Sequence, residues 1–155
     1  MIKTTVRISV FISFFIFIDG CQKPIGNSLE QMKKEIAETD KAMSKMAEKQ
    51  GFHKAILFYA DSSIVKFREG QYPALGKKEY EKFAGVHKDT KNIVWEPVNV
   101  EVAKSGELGY SWGNWKDYEK DTILYGNYFT VWKKQNDGTW KVALDGGGST
   151  PKPKN

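Results

Sequence analysis

Residues 58–83 read FYADSSIVKFREGQYPALGKKEYEKF, and three conformational regimes follow one another inside them. A helical pattern that begins at Phe52 puts Phe52, Ile56 and Tyr59 on one side and closes at Ala60. Beyond Asp61 the period drops to two: Ser63, Val65 and Phe67 alternate with Ile64, Lys66 and Arg68, which predicts a strand. Gly70, Pro73 and Gly76 then predict a loop, and Lys77–Phe83 a short helix closed by Gly85.

Upstream of this stretch the pattern is helical. Ser28 is placed as an N-cap with Gln31 three residues on, as in a capping box. Leu29, Met32, Ile36, Met43 and Met46 form one apolar stripe reaching about Lys49, where Gly51 interrupts it. The methionines read as soft core packing, since their flanks are Lys and Glu. Downstream everything is strand: Ile93–Lys104, a Ser105-Gly106 turn, Leu108–Tyr118, Thr122–Lys134, an Asn136-Asp137-Gly138 turn, and Trp140–Asp145. The tail GGGSTPKPKN has no apolar residue and is expected to fray. Helices first and a meander of long strands afterwards predict an α+β domain.

The chain starts differently. Lys3 and Arg7 precede an apolar run from Ile8 to Ile18, which ends at Ile-Asp-Gly-Cys. A basic start and an apolar run too short to span a bilayer describe an export signal. Cys21, the single cysteine, stands behind Gly20 where a lipoprotein signal peptidase would cut. The pattern resembles a bacterial lipobox, from which Asp19 departs. The expected organisation is a signal peptide over 1–20, a lipidated tether over 21–27, one domain over 28–150 and a disordered tail over 151–155. The expected location is the bacterial cell envelope, membrane-anchored through Cys21, with a secreted or periplasmic protein and an uncleaved anchor as the alternatives. The whole chain carries a net charge of +5. Without Lys3, Arg7 and Asp19 it keeps 22 basic and 18 acidic residues, or +4. That excess is dispersed, which argues against a nucleic-acid partner.

The last two strands carry a further signal. Tyr128, Thr130 and Trp132 share one face and Phe129 and Val131 the other, so neither face is plainly polar. One face can pack on the helices. The second needs another cover, most simply a second copy of the chain.

The order in 58–83, with Tyr-Ala-Asp at a helix end, a strand, a loop, then Gly and a short helix ending in Phe, resembles the nuclear transport factor 2-like superfamily. Ketosteroid-isomerase-like and SnoaL-like proteins belong to it. The closing YGNYFTVWKKQNDGTWKVALDGGGSTP (125–151) resembles its branch of domains of unknown function. The resemblance covers most of 28–150. It implies a cone: a strongly curved antiparallel sheet wrapped around the three helices, a pocket at the wide end, and dimerisation through the sheet. It also implies where isomerase chemistry would sit. The general-base carboxylate falls six residues after Asp61, at Phe67, and a phenyl ring accepts no proton. The oxyanion-stabilising tyrosine matches Met43 and its acidic partner Thr130. Tyr59 alone survives, as a pocket phenol, so ketosteroid-type isomerisation is not expected.

Asp61 reads first as a turn-fixing carboxylate. Asp145, late in the last strand and in the parity of Tyr128, Thr130 and Trp132, is either a strand-end residue or a pocket carboxylate able to act as acid or base. His53 and His87 lie in different elements without metal-ligand spacing, and neither a metal nor a cofactor is expected. Trp112, Tyr128 and Trp132 are expected to line the concave sheet, or else to fill its core. The expected site is therefore Tyr59, Phe67, Trp112, Tyr128, Thr130, Trp132 and Asp145. The expected function is non-catalytic binding of a small, partly apolar molecule. A lyase or isomerase using Asp145, with Tyr59 or Tyr128 as proton donor, and a scaffold with a filled cone are the alternatives.

Overall fold

The structure of the chain, a computed structural model, describes residues 25–153. The expected signal peptide, Cys21 and the first part of the tether lie outside the described residues, as do 154–155. Three helices come first: α1 (Ile25–Gln50), α2 (Phe52–Tyr59) and, after two strands, α3 (Lys77–Val86). The strands are β1 (Ala60–Arg68), β2 (Gln71–Leu75), β3 (Ile93–Val102), β4 (Leu108–Tyr118), β5 (Ile123–Lys134) and β6 (Trp140–Thr150). They form one sheet in the order β2-β1-β6-β5-β4-β3. Every neighbouring pair is antiparallel except β1 and β6, which run parallel. Register shifts at Pro97–Asn99 in β3 and at Val142–Leu144 in β6, opposite Val131–Trp132 of β5, bend the strands. The result is the curved α+β cone, with the helices on its concave side.

Ile36, Met43 and Ala47 are buried on one stripe of α1, and Met32 and Met46 pack beside them. Ile56, Ile64, Tyr80, Trp95, Trp132 and Val142 complete the core between helices and sheet. Gly51 separates α1 from α2 with φ +122, a value that L side chains rarely adopt. The space its Cβ would take is filled by the Asp89 carboxylate. Asp89 accepts from His53 N at 2.7 Å and Lys54 N at 3.2 Å, so it caps α2 from a distant loop.

Three expectations about elements are corrected. Helix α1 begins at Ile25 rather than Ser28, so part of the expected tether is helical. Gly26 and Asn27 fall in the first turn, where backbone N–H groups have no intrahelical partner and weak helix formers cost least. The expected loop at 70–76 holds β2, which pairs with β1 from Arg68↔Gln71 to Val65↔Leu75. Pro73 is compatible because β2 is the edge strand. The last strand does not stop at Asp145. Gly146, Gly147 and Gly148 pair with Phe129, Tyr128 and Asn127, and β6 runs on to Thr150.

Candidate functional site

Between α2, α3 and the concave sheet lies a cavity of about 310 Å³. Its apolar walls are Phe52 and Ile56 of α2, Phe83 of α3, Ile93 and Trp95 of β3, and Trp115 of β4. The exposed Glu69 and Gly147 form part of its mouth. On β6 the inward position after Asp145 is Gly147, which contributes no side chain to fill the space. Trp115 can lie against the sheet because Gly126 faces it: a Cβ there would stand 2.1 Å from the indole ring. The indole Nε1 donates to the Asn127 carbonyl oxygen at 3.1 Å. Deeper in the cone the interior is solid, with Thr130 and Trp132 wholly buried.

Four of the polar side chains that line the cavity form two pairs. Lys66 of β1 and Asp145 of β6 face one another across the parallel strands, paired in register. Lys66 Nζ lies 2.5 Å from Asp145 Oδ1, and Thr130 Oγ1 donates to Asp145 Oδ2 at 2.8 Å. Both carboxylate oxygens are thus engaged. On the opposite wall His53 Nδ1 and Tyr80 Oη lie 2.7 Å apart. Burial pushes the His53 imidazole below its ordinary value, which favours the neutral ring, and pushes the Tyr80 phenol up, with the Asp145 charge adding to the effect.

Behind the wall sits Asp40, fully buried on α1 in the stripe that also carries Ile36 and Met43. Trp95 Nε1 donates to its Oδ1 at 2.7 Å and Tyr128 Oη to its Oδ2 at 2.9 Å. Two aromatic rings that line the cavity are therefore pinned by one carboxylate. Burial holds the Asp40 carboxyl above its ordinary value, against hydrogen bonds from Ser111, Trp95 and Tyr128 that favour the charged form.

Of the residues expected from the sequence, the structure brings Tyr128 and Asp145 into this cavity. Thr130 reaches it only through its bond to Asp145. Trp132 does not line it; its ring is sealed in the core and Nε1 donates to Ser111 Oγ at 2.8 Å. Tyr59 lies elsewhere, in a surface hollow with Phe58, Trp140 and Lys141. Trp112 is on the wrong face. It pairs with Phe129 on the convex side, while Ser111 and Gly113 take the inward positions opposite Thr130 and Tyr128. Phe67 borders the cavity but belongs to the convex side, with its Cβ beside the outward position of Gly146.

The inward neighbour is Lys66, which counting from Asp61 misses because the β1–β6 register shifts between Ala60 and Val65. The alternation of Ile64, Lys66 and Arg68 was the signal for it. Asp40 carried a signal as well, as the polar residue inside an apolar helical stripe. His53 and Tyr80 meet only across tertiary structure. Among the described residues no group of three metal-ligating side chains comes together.

No protein-family model matches the chain, and no curated protein is similar enough to match. Solved structures do resemble it. A ketosteroid isomerase-like protein from Erwinia carotovora atroseptica is 18% identical, over 75% of this chain and 95% of that one, with a TM-score of 0.58. A nuclear transport factor 2-like protein of unknown function from Pseudomonas putida is 16% identical, over 76% and 86%, with a TM-score of 0.60. A nuclear transport factor 2-like protein with a cystatin-like fold from Novosphingobium aromaticivorans is 12% identical, over 76% and 81%, also at 0.60. The chain has the nuclear transport factor 2-like fold.

Proposed function

We propose that this chain binds a small, partly apolar molecule in the cone cavity and does not turn it over. The observation that carries this reading is the cavity itself, about 310 Å³ in volume and walled mainly by aromatic and aliphatic side chains. That is near the lower end of ligand-pocket volumes, about 300–1,000 Å³. A handful of polar groups at fixed positions would orient the guest. The state of Asp145 supports binding over catalysis. A carboxylate engaged by Lys66 on one oxygen and Thr130 on the other is a poor free base.

Native mass spectrometry of the full chain tests the reading. A co-purifying small molecule is expected, and Ile56→Phe, which adds volume inside the cavity, should lose it while keeping the circular dichroism of the fold. Retention of the molecule by that variant would place its site elsewhere.

One observation favours a second reading, an enzyme. His53 and Tyr80, hydrogen-bonded on the cavity wall, form a neutral base and a phenolic acid that could move a proton on a bound substrate. In that case the acid–base role expected of Asp145 passes to this couple, and His53→Gln would abolish turnover while sparing binding.

The reading extends to the cell. Cys21 at a lipobox-like cut would tether the domain to the envelope membrane, and the apolar convex face would pair with a second copy. No helix among the described residues is long and apolar enough to cross a membrane.

A further inference from the structure

Two cations line the cavity, and their surroundings differ. Lys66 is neutralised by Asp145. Arg68, two residues further along the same face of β1, has no ionic partner among the described residues. Its Nη2 donates to the Tyr72 carbonyl oxygen at 2.6 Å, and its guanidinium lies 4.4 Å from the centre of the Phe83 ring. Its Nε is buried and has no acceptor among the described residues. Glu69, the nearest acidic residue in the chain, does not fill that role, since its carboxylate accepts from Ser149 Oγ at 3.2 Å.

A buried donor without an acceptor carries the full cost of its lost hydration, and folded proteins rarely leave one so. Phe83 covers one face of the guanidinium, so the planar edge is what remains for a partner. That edge presents N–H groups in a fork that matches the two oxygens of a carboxylate. The walls next to it are Phe52, Ile56, Trp95 and Trp115, suited to an apolar or aromatic body.

We propose that the guest of this cavity is a small organic carboxylate, its apolar body between the aromatic walls and its carboxylate on the edge of Arg68. The proposal rests on the reading of the cavity as a ligand site.

The test uses matched acids and neutral amides, benzoate with benzamide and 2-naphthoate with 2-naphthamide, titrated into the full chain by calorimetry. At least one acid should bind about tenfold or more tighter than its amide, as a charge-assisted pair implies. Arg68→Gln should bring acid and amide to within about twofold by lowering the acid's affinity alone, while Arg68→Lys keeps part of the preference. If acids and amides bind alike, the cavity reading stands and the carboxylate assignment falls. If the preference survives Arg68→Gln, Arg68 is not its source and the assignment falls. If none of the four compounds binds, the carboxylate assignment falls, while the cavity reading is decided by the co-purified molecule and its loss in Ile56→Phe. Should Arg68→Gln not fold, the acid-to-amide ratio of the unaltered chain and its reduction in Arg68→Lys decide the matter.

Discussion

Lys66 and Asp145 sit with 11% and 9% of their side chains exposed, one beside the other on adjacent strands. Taking two charges out of water is costly, and the pair offsets that cost only while both members remain. Lys66→Met leaves Asp145 buried without its counter-charge and should lose about 3–5 kcal/mol in urea unfolding. Lys66→Met combined with Asp145→Leu should recover most of the loss; a double variant as unstable as the single one would show that packing, and not charge, was removed. Asp40 makes a second prediction at this scale. Its folded carboxyl is held above the ordinary 3.8 by burial, so the folded chain keeps the proton more tightly than the unfolded one. The stability this group contributes is therefore full below the ordinary value and declines as pH rises through the raised one. His53 works in the opposite sense: burial lowers its folded value below 6.5, so its contribution is present above that pH and lost as pH falls. Asp40→Asn removes the first dependence and leaves the second. The urea midpoint of the variant relative to the unaltered chain should rise from about pH 4 upward. A difference that does not change with pH would contradict the burial argument.

Helix α2 has eight residues and supplies Phe52, His53 and Ile56 to the cavity, yet it has no side-chain cap from its own preceding residue. Asp89 serves instead, from the loop after α3. A helix this short is marginal alone, so the cap also fixes the position of one cavity wall. Asp89→Ala should cost about 0.5–2 kcal/mol. Amide exchange of His53 and Lys54 should accelerate more than that of β5, and equal acceleration throughout would mean that the cap acts only on global stability. Strand β1 matters in another way. Its irregular pairing with β6 between Ala60 and Val65 decides which parity faces the cavity, so Lys66 and Arg68 point in while Phe67 points out.

The convex face of the whole molecule carries Phe67 of β1, Tyr110 and Trp112 of β4 and Phe129 of β5, each 41–45% exposed. Such a continuous apolar area is unusual on an isolated domain. If a second copy covers it, as we propose, Phe129→Glu should convert a dimer to a monomer in light scattering while the circular dichroism is retained. A monomer from the unaltered chain would assign that face to another partner. For the envelope location, Cys21→Ser should shift the chain from the membrane fraction to a precursor or soluble pool, since several acyl chains hold a protein firmly and a bare domain is not held. Unchanged membrane retention of the variant would refute lipidation as the anchor.

Periodicity and turn residues in the sequence determined the element order: the apolar stripe of α1, the two-residue alternation of β1, the bounds of β4, and the Asn136-Asp137-Gly138 turn before β6 are local properties that a chain carries wherever it folds. They also indicated Tyr128, whose inward parity can be counted along β5, whereas Asp145 was reached only through the geometry that the family resemblance implies, since β6 shifts register before it. Tertiary structure alone decided the rest. Pro73 and the glycines of 146–148 read as loop and tail, yet they lie in strands because β1 and β5 supply partners for their backbones. Phe67 and Trp112 face the convex side because a residue's face depends on register with a neighbouring strand: the irregular β1–β6 pairing sets it for Phe67, and regular pairing with the outward Phe129 sets it for Trp112. Lys66 with Asp145, His53 with Tyr80, and Asp40 with Trp95 and Tyr128 are contacts between residues far apart in the chain. Nothing local encodes them; they exist because the curved sheet folds over the helices and excludes water from the space between.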